Sequence, residues 1–305
     1  MSTAPTDMAR LIRKRIRKFD SLPTVSSVLR PLLSYLDQPE DQIDVKSIVD
    51  LVSSDGSLAA QCLRIANSPL FCRTRAIYSL RGAVIVLGVH RLRDILFTCL
   101  LVKLVPRTNW VIDPLRFWQH SLACAVVSRH FAKKINFDDP EQAYLGGLLH
   151  DLGTLANSLL LPDEFRAAAN MTLSESIPLC DAETKCFGLT HCETGQLLAE
   201  HWKLPERVCH VIRYHHDVEQ SRVAPVLVAL VSLSDTICKM QGLGYGLDEV
   251  DRIDLLEEPA WRILTREYPY INESNLGEFT IEMDEFASHV REMVDSIFPG
   301  TPVAV

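Results

Sequence analysis

The chain has 305 residues, enough for two domains of ordinary size, and its 47% hydrophobic and 23% charged residues are those of a protein with a real core. Its net charge of −8 speaks against broad nucleic-acid binding, which needs basic surface to displace counterions. No stretch approaches the ~18 apolar residues of a membrane span, and the basic N-terminus lacks the apolar run of a secretory signal.

Taken in chain order, the pattern is helical from end to end. Residues 1–19 predict a basic amphipathic helix. Met8, Leu11, Ile12, Ile16 and Phe19 line one face, and Arg10, Arg13, Lys14, Arg15, Arg17 and Lys18 surround it. Such a helix either binds a membrane or nucleic-acid surface, or docks on the body with its basic face solvated. Docking is the expected reading.

Residues 20–105 read as a compact helical unit. Val45, Ile48, Val49 and Val52 form one stripe, Asp55 is placed as an N-cap, and Leu58, Cys62, Ile65 and Ala66 share the next face. Gly82 and Gly88 punctuate the segment that follows. A break is expected at Pro106–Pro114. A second helical unit spans 115–240. A Gly-rich and then acidic loop begins at Gln241, and a C-terminal extension over 241–305 carries helices at Pro259–Glu267 and Leu276–Ile297. The expected fold class is therefore all-α.

Nine cysteines include no CxxC pair. Cys62, Cys99, Cys124, Cys209 and Cys238 fall inside apolar helical patterns and are expected to be buried, reduced thiols of a cytoplasmic protein.

The chemistry concentrates in the second unit. His120 shares a face with Ala123, Cys124, Val127 and Phe131. His150 and Asp151 end the run YLGGLLHDLG, where Gly146 and Gly147 would admit a neighbouring helix. His191 follows Thr190, and Thr190 with Glu193 reads as a capping box. His215 continues the stripe Val208, Val211, Ile212, with His216 next to it. Asp235 lies in APVLVALVSLSDTICKM, apolar on nearly every side. A carboxylate facing a core costs several kcal/mol unless it is paired or binds metal. Imidazole and carboxylate are the ligands of Fe, Mn, Zn or Ni. The seven residues His120, His150, Asp151, His191, His215, His216 and Asp235 therefore form a candidate site for divalent transition metal, with two ions expected. The alternative is a set of hydrogen-bonded core residues. His90, His130, His201, His210 and His289 sit among polar neighbours and are read as ordinary. The sequence holds no GxSxG elbow, no P-loop and no HExxH.

The order FWQHS, LLHDLG, THCETG, YHHD and SLSD resembles the HD superfamily of metal-dependent phosphohydrolases, and most closely the HDOD family of bacterial signalling proteins. LPTVSSVL at 22–29, SSDGSLAAQCLRIANSPLF at 53–71 and YSLRGAVIVLGVHRLRDIL at 78–96 resemble that family's opening segment. The resemblance implies an α-helical bundle serving bacterial regulation, non-enzymatic, with an unidentified regulatory protein partner. It also implies a division of ligands. His120, His150, Asp151 and Asp235 would hold one ion, and Asp151, His191, His215 and His216 the other. The alternative it implies is a metal-dependent phosphohydrolase acting on a nucleotide or cyclic dinucleotide, as in the related HD-GYP domains, with Asp151 and a metal-bound water at the centre of catalysis. A third reading is a partner-binding scaffold whose histidines only hydrogen-bond. Thr154 stands where the HD-GYP enzymes carry a lysine, and no GYP segment is present. Arg213 or Lys185 would then have to supply the missing cation.

Overall fold

The computed structural model describes residues 5–19, 44–53, 55–68, 71, 76–104, 111–247, 254–271, 277, 282 and 286–294. The described residues contain helices and no strand, so the chain is all-α as the periodicity predicts. It divides into two units: Met1–Arg17 with Thr108–Ala287, and Lys18–Arg107 with Ser288–Val305.

In the unit around Lys18–Arg107, α2 (Val45–Ser53), α3 (Gly56–Ala66), α4 (Leu80–Leu87) and α5 (Val89–Leu104) pack on one another. Ile48, Val49 and Val52 of the first stripe are buried, and so are Leu58, Cys62, Ile65 and Ala66 of the second. Asp55 caps α3 by accepting from the Leu58 backbone N–H at 3.0 Å. Cys62 meets Cys99 sulfur to sulfur at 3.4 Å. One expectation fails locally. Gly82 does not interrupt a helix, because its N–H is the donor that the Ser79 cap of α4 accepts. Gly88 does end that helix, with φ of 86°. The LPTVSSVL segment, residues 105–110 of the expected break, and the outer parts of the expected 276–297 helix lie outside the described residues. Within that last stretch, residues 286–294 are helical.

The larger unit begins with α1 (Pro5–Phe19). Met8, Ile12 and Ile16 are buried while Arg10, Arg13 and Lys14 are exposed. The Arg15 guanidinium donates to the Leu160 carbonyl. The helix thus docks by its apolar stripe and leaves its basic face in solvent. After it come α6 (Pro114–Lys134), α7 (Pro140–Leu149), α8 (Leu152–Leu160), α9 (Pro162–Glu175), α10 (Leu179–Phe187), α11 (His191–His201), α12 (Glu206–Tyr214), α13 (Pro225–Met240) and α14 (Pro259–Glu267).

Proline at the first position starts α6, α7, α9, α13 and α14, where its missing N–H costs nothing. Asp113 and Asp139 cap α6 and α7 with their side chains. Helix α6 packs along α7 and also against α13, and α8 packs on α11. Of the five cysteines expected to be buried, Cys62, Cys99, Cys124 and Cys238 are, and Cys209 is only half-buried. The described residues contain no helix long and apolar enough to cross a membrane.

Candidate metal centre

Each chemistry-bearing residue sits where a helix begins, ends or crosses another. His120 lies within α6, and Asp235 within α13. His150 and Asp151 occupy the two-residue junction between α7 and α8. His191 is the first residue of α11, fixed by a complete capping box between Thr190 and Glu193. His215 closes α12, and His216 follows it. Gly147 makes the junction accessible to α6, since a Cβ there would stand 2.5 Å from the Cys124 carbonyl oxygen.

These seven residues converge although they are spread over more than a hundred positions. Around Asp151 Oδ2, the Nε2 atoms of His150 and His120 lie at 3.3 and 3.6 Å. Asp235 Oδ1 stands 3.0 Å from His120 Nε2 and 3.7 Å from His150 Nε2, and the two imidazole nitrogens are 3.2 Å apart. On the other side, Asp151 Oδ1 faces His191 Nε2 and His215 Nε2, each at 3.6 Å. The two oxygens of a single carboxylate thus address two separate groups of imidazoles. Ligands about 2.0–2.2 Å from a common ion stand roughly 2.8–3.6 Å apart on tetrahedral or octahedral centres. The observed separations match that spacing better than they match direct hydrogen bonds.

Unsatisfied atoms point the same way. His191 Nε2, His215 Nε2 and Asp235 Oδ1 are buried without a hydrogen-bond partner, a costly state unless a ligand completes them. The opposite ring nitrogens are occupied. His150 Nδ1 donates to the Gly147 carbonyl at 2.8 Å, and His215 Nδ1 to the Ile212 carbonyl at 3.1 Å. Carbonyls only accept, so both rings carry the proton on Nδ1 and turn the Nε2 lone pair inward. Burial opposes the charge on Asp151, but His150, His215 and His191 outweigh it and hold the carboxyl well below the usual carboxylate range. Burial likewise opposes ionisation of Asp235, and there the Lys239 ammonium and His120 prevail. Among the described residues, two of the four-ligand groups that result are His120, Cys124, His150 and Asp235, with Cys124 in the place expected for Asp151, and Asp151, His191, His215 and His216. His216 is exposed, unlike its partners in the second group.

Several contributors escaped the sequence reading. Glu183 of α10 is fully buried and accepts at one oxygen from both the backbone N–H and the Nδ1–H of His191, at 2.6 and 2.8 Å. Its other oxygen accepts from Asn157 at 2.9 Å. Tyr245, in the Gly-rich loop after α13, donates its hydroxyl to Asp151 Oδ2 at 2.8 Å and packs against the His120 ring. Lys239 reaches Asp235 Oδ2 at 2.9 Å.

Thr154, by contrast, is completely buried, and its hydroxyl has no hydrogen-bond partner. Arg213 and Lys185, the cations considered from sequence, pair with Glu193 and Glu175 and do not line the cavity beside the centre. That cavity measures about 480 Å³, and its wall includes His191, His215, His216, Asp235, Lys239 and Tyr245.

The role of Glu183 is directly testable. A partner that orients a ligating histidine is typically worth about 10–100-fold in metal affinity. Glu183→Gln is therefore expected to weaken binding at the His191 group by that factor and to leave the His120 group unchanged. A competition titration against a coloured chelator measures it. Equal affinities in the variant and the parent would remove Glu183 from the site.

Comparison with known proteins follows the same lines. The HDOD domain model matches residues 22–218. A solved HDOD domain protein of unknown function from Geobacter sulfurreducens is 32% identical, with a TM-score of 0.82 over 96% of this chain and 99% of its own. A protein from Shewanella amazonensis, provisionally described as a phosphohydrolase, superposes with a TM-score of 0.73 at 21% identity, covering 94% of this chain and 98% of its own. At that identity the likeness speaks for the fold alone. An uncharacterized protein of Treponema pallidum is 26% identical over 223 residues, 72% of this chain and 41% of that protein, so the match spans less than half of the relative's length.

Proposed function

We propose, because this chain belongs to the HDOD domain family, that it is a bacterial signalling protein whose HD-type centre holds two divalent transition ions in a structural or sensory role. His120, His150, Asp151 and Asp235 would hold the first ion, and Asp151, His191, His215 and His216 the second. Fe, Mn, Zn or Ni suits these donors. When bound, such ions would supply Lewis acidity and the means to acidify a water. The chain's own residues orient the imidazoles through Gly147, Ile212 and Glu183, and hold Asp151 through Tyr245. The protein acts in the cytoplasm on a regulatory protein partner.

The observation that carries the non-enzymatic reading is the charge of the cavity wall. Asp217, Glu219 and Glu258 line it, and Lys239 is already engaged by Asp235. A polyanionic phosphoester would approach through carboxylates. Hydrolysis also needs a positioned donor for the developing charge, and losing one costs about 10²–10³ in rate. Fully buried, Thr154 offers no such donor to the cavity.

Metal-loaded protein is thus expected to hydrolyse cyclic dinucleotides and simple aryl phosphoesters no faster than free metal in buffer. Product release followed by chromatography decides it. Rapid turnover that vanishes in Asp151→Ala would establish the alternative, a metal-dependent phosphohydrolase acting on a nucleotide or cyclic dinucleotide. Lys239 is the observation in favour of that alternative: it stands on the cavity wall beside Asp235, within reach of a phosphoryl ligand that displaced the carboxylate.

A further inference from the structure

Two cysteines border the second group of ligands, and neither belongs to the histidine–aspartate pattern. Cys192 follows His191 directly on α11 and is buried. Its sulfur lies 4.0 Å from His215 Nδ1. Cys180 opens from α10 on to the cavity wall, half-buried, with its sulfur 3.8 Å from His191 Nδ1. One ligand atom from each of Cys180, His191, Cys192 and His216 lies within 4.8 Å of every other. The His191 and His216 rings stand edge to face, 5.2 Å between centroids. His191 Nε2, on a side chain almost wholly removed from solvent, has no hydrogen-bond partner.

We infer that Cys180, His191, Cys192 and His216 form a thiolate-containing seat for a thiophilic divalent ion such as zinc. The inference rests on reading the histidine–aspartate cluster as a metal centre. Two thiolates with two imidazoles make a tetrahedral donor set of the kind that selects zinc over magnesium or manganese. Each thiol gives up its proton to solvent as the ion binds, and no electrons change hands.

This seat shares His191 and His216 with the group around Asp151 Oδ1. An ion held by the sulfurs therefore excludes one held by Asp151 and His215. The identity of the metal decides which seat fills, and so whether Asp151 bridges two ions or serves one. A hard ion would be held by His191 and His216 with Asp151, and a soft ion by the same imidazoles with the two sulfurs. Cys124, beside His120, offers a single sulfur at 3.7 Å from His120 Nε2 to the first group and has no second thiol in that group.

Cobalt(II) titration of the full-length, chelator-stripped protein tests this. Thiolate bound to cobalt gives an intense sulfur-to-metal charge-transfer absorption in the near ultraviolet, and imidazole and carboxylate do not. The absorption is expected in the parent protein, to be bleached by stoichiometric zinc, and to be absent when Cys180→Ala and Cys192→Ala are combined. All of these measurements are made in a Cys124→Ala background, so that the sulfur beside His120 cannot contribute. Should the double variant not fold, Cys180→Ser alone, on the cavity wall, should lower the absorption by about half, one of two thiolates being lost. Cobalt bound without the charge-transfer absorption, or an absorption that survives loss of both thiols, overturns the thiolate seat and leaves the histidine–aspartate centre standing. A protein that binds no cobalt at all overturns the centre itself.

Discussion

Asp151→Ala is expected to strip the protein of both ions. No other side chain in the cluster has one oxygen towards each group: Oδ2 faces His120 and His150, and Oδ1 faces His191 and His215. Removing it takes a ligand and a negative charge from both positions together, leaving only imidazoles at the second and two imidazoles with Asp235 at the first. An ion present at a thousand times its dissociation constant stabilises the fold by about 4 kcal/mol, so losing two costs about 8 kcal/mol under those conditions. Thermal unfolding in excess metal should therefore show a large drop for the variant. The gap should narrow when parent and variant are compared in chelator. Asp235→Ala gives the contrast, because Asp235 Oδ1 touches only His120 and His150. That variant should retain one ion per chain by elemental analysis. If Asp151→Ala keeps two, the carboxylate does not bridge and the division of ligands is wrong.

What the sequence revealed and what it hid follow from one physical distinction. His120, Asp151 and Asp235 stood out because each interrupts a helical face that is otherwise apolar, and a local pattern exposes that anomaly. The convergence of those positions could be expected only because burying them unpaired would cost so much. Tyr245 could not be found this way. It lies in a Gly-rich loop with no periodicity, and its partner Asp151 is 94 positions away. Glu183 looks like one more polar residue of the amphipathic α10, and only the packing of α10 against α11 shows that it is buried beneath His191.

Lys239 was legible in principle. It stands four residues after Asp235 on one helix, the spacing at which opposite charges meet, but a lysine in a last turn reads as an ordinary helix terminus. Among the cysteines, the apolar helical pattern identifies Cys62, Cys99, Cys124 and Cys238 as buried and carries no signal for Cys180 and Cys192, whose surroundings come from other helices.

Gly153 is where the fold and the centre depend on each other most. It is the second residue of α8, two positions after Asp151. A Cβ built there would lie 1.7 Å from the His191 carbonyl oxygen and 2.7 Å from the Gly195 backbone nitrogen. The atoms in the way are backbone, so no side chain can turn aside, and α8 and α11 would have to separate. Overpacking a core typically costs about 1–3 kcal/mol, sometimes more, and a collision with backbone at this distance belongs at or beyond the upper end. Separation of the two helices also moves His191 away from Asp151, so the second ion should weaken before the first.

Gly153→Ala is therefore expected to lose about 3 kcal/mol or more in denaturant unfolding and to bind its second ion poorly. Gly195→Ala should be milder, since its nearest obstacle is the Ile212 side chain at 2.6 Å, which can shift. Gly56→Ala, with nothing within 4 Å, is the control. It should change stability by no more than about 1 kcal/mol and in the favourable direction, because alanine suits a helix better than glycine. If Gly153→Ala unfolds at the same denaturant concentration as the parent, α8 and α11 are not in backbone contact, and the placement of His191 against Asp151 falls with them.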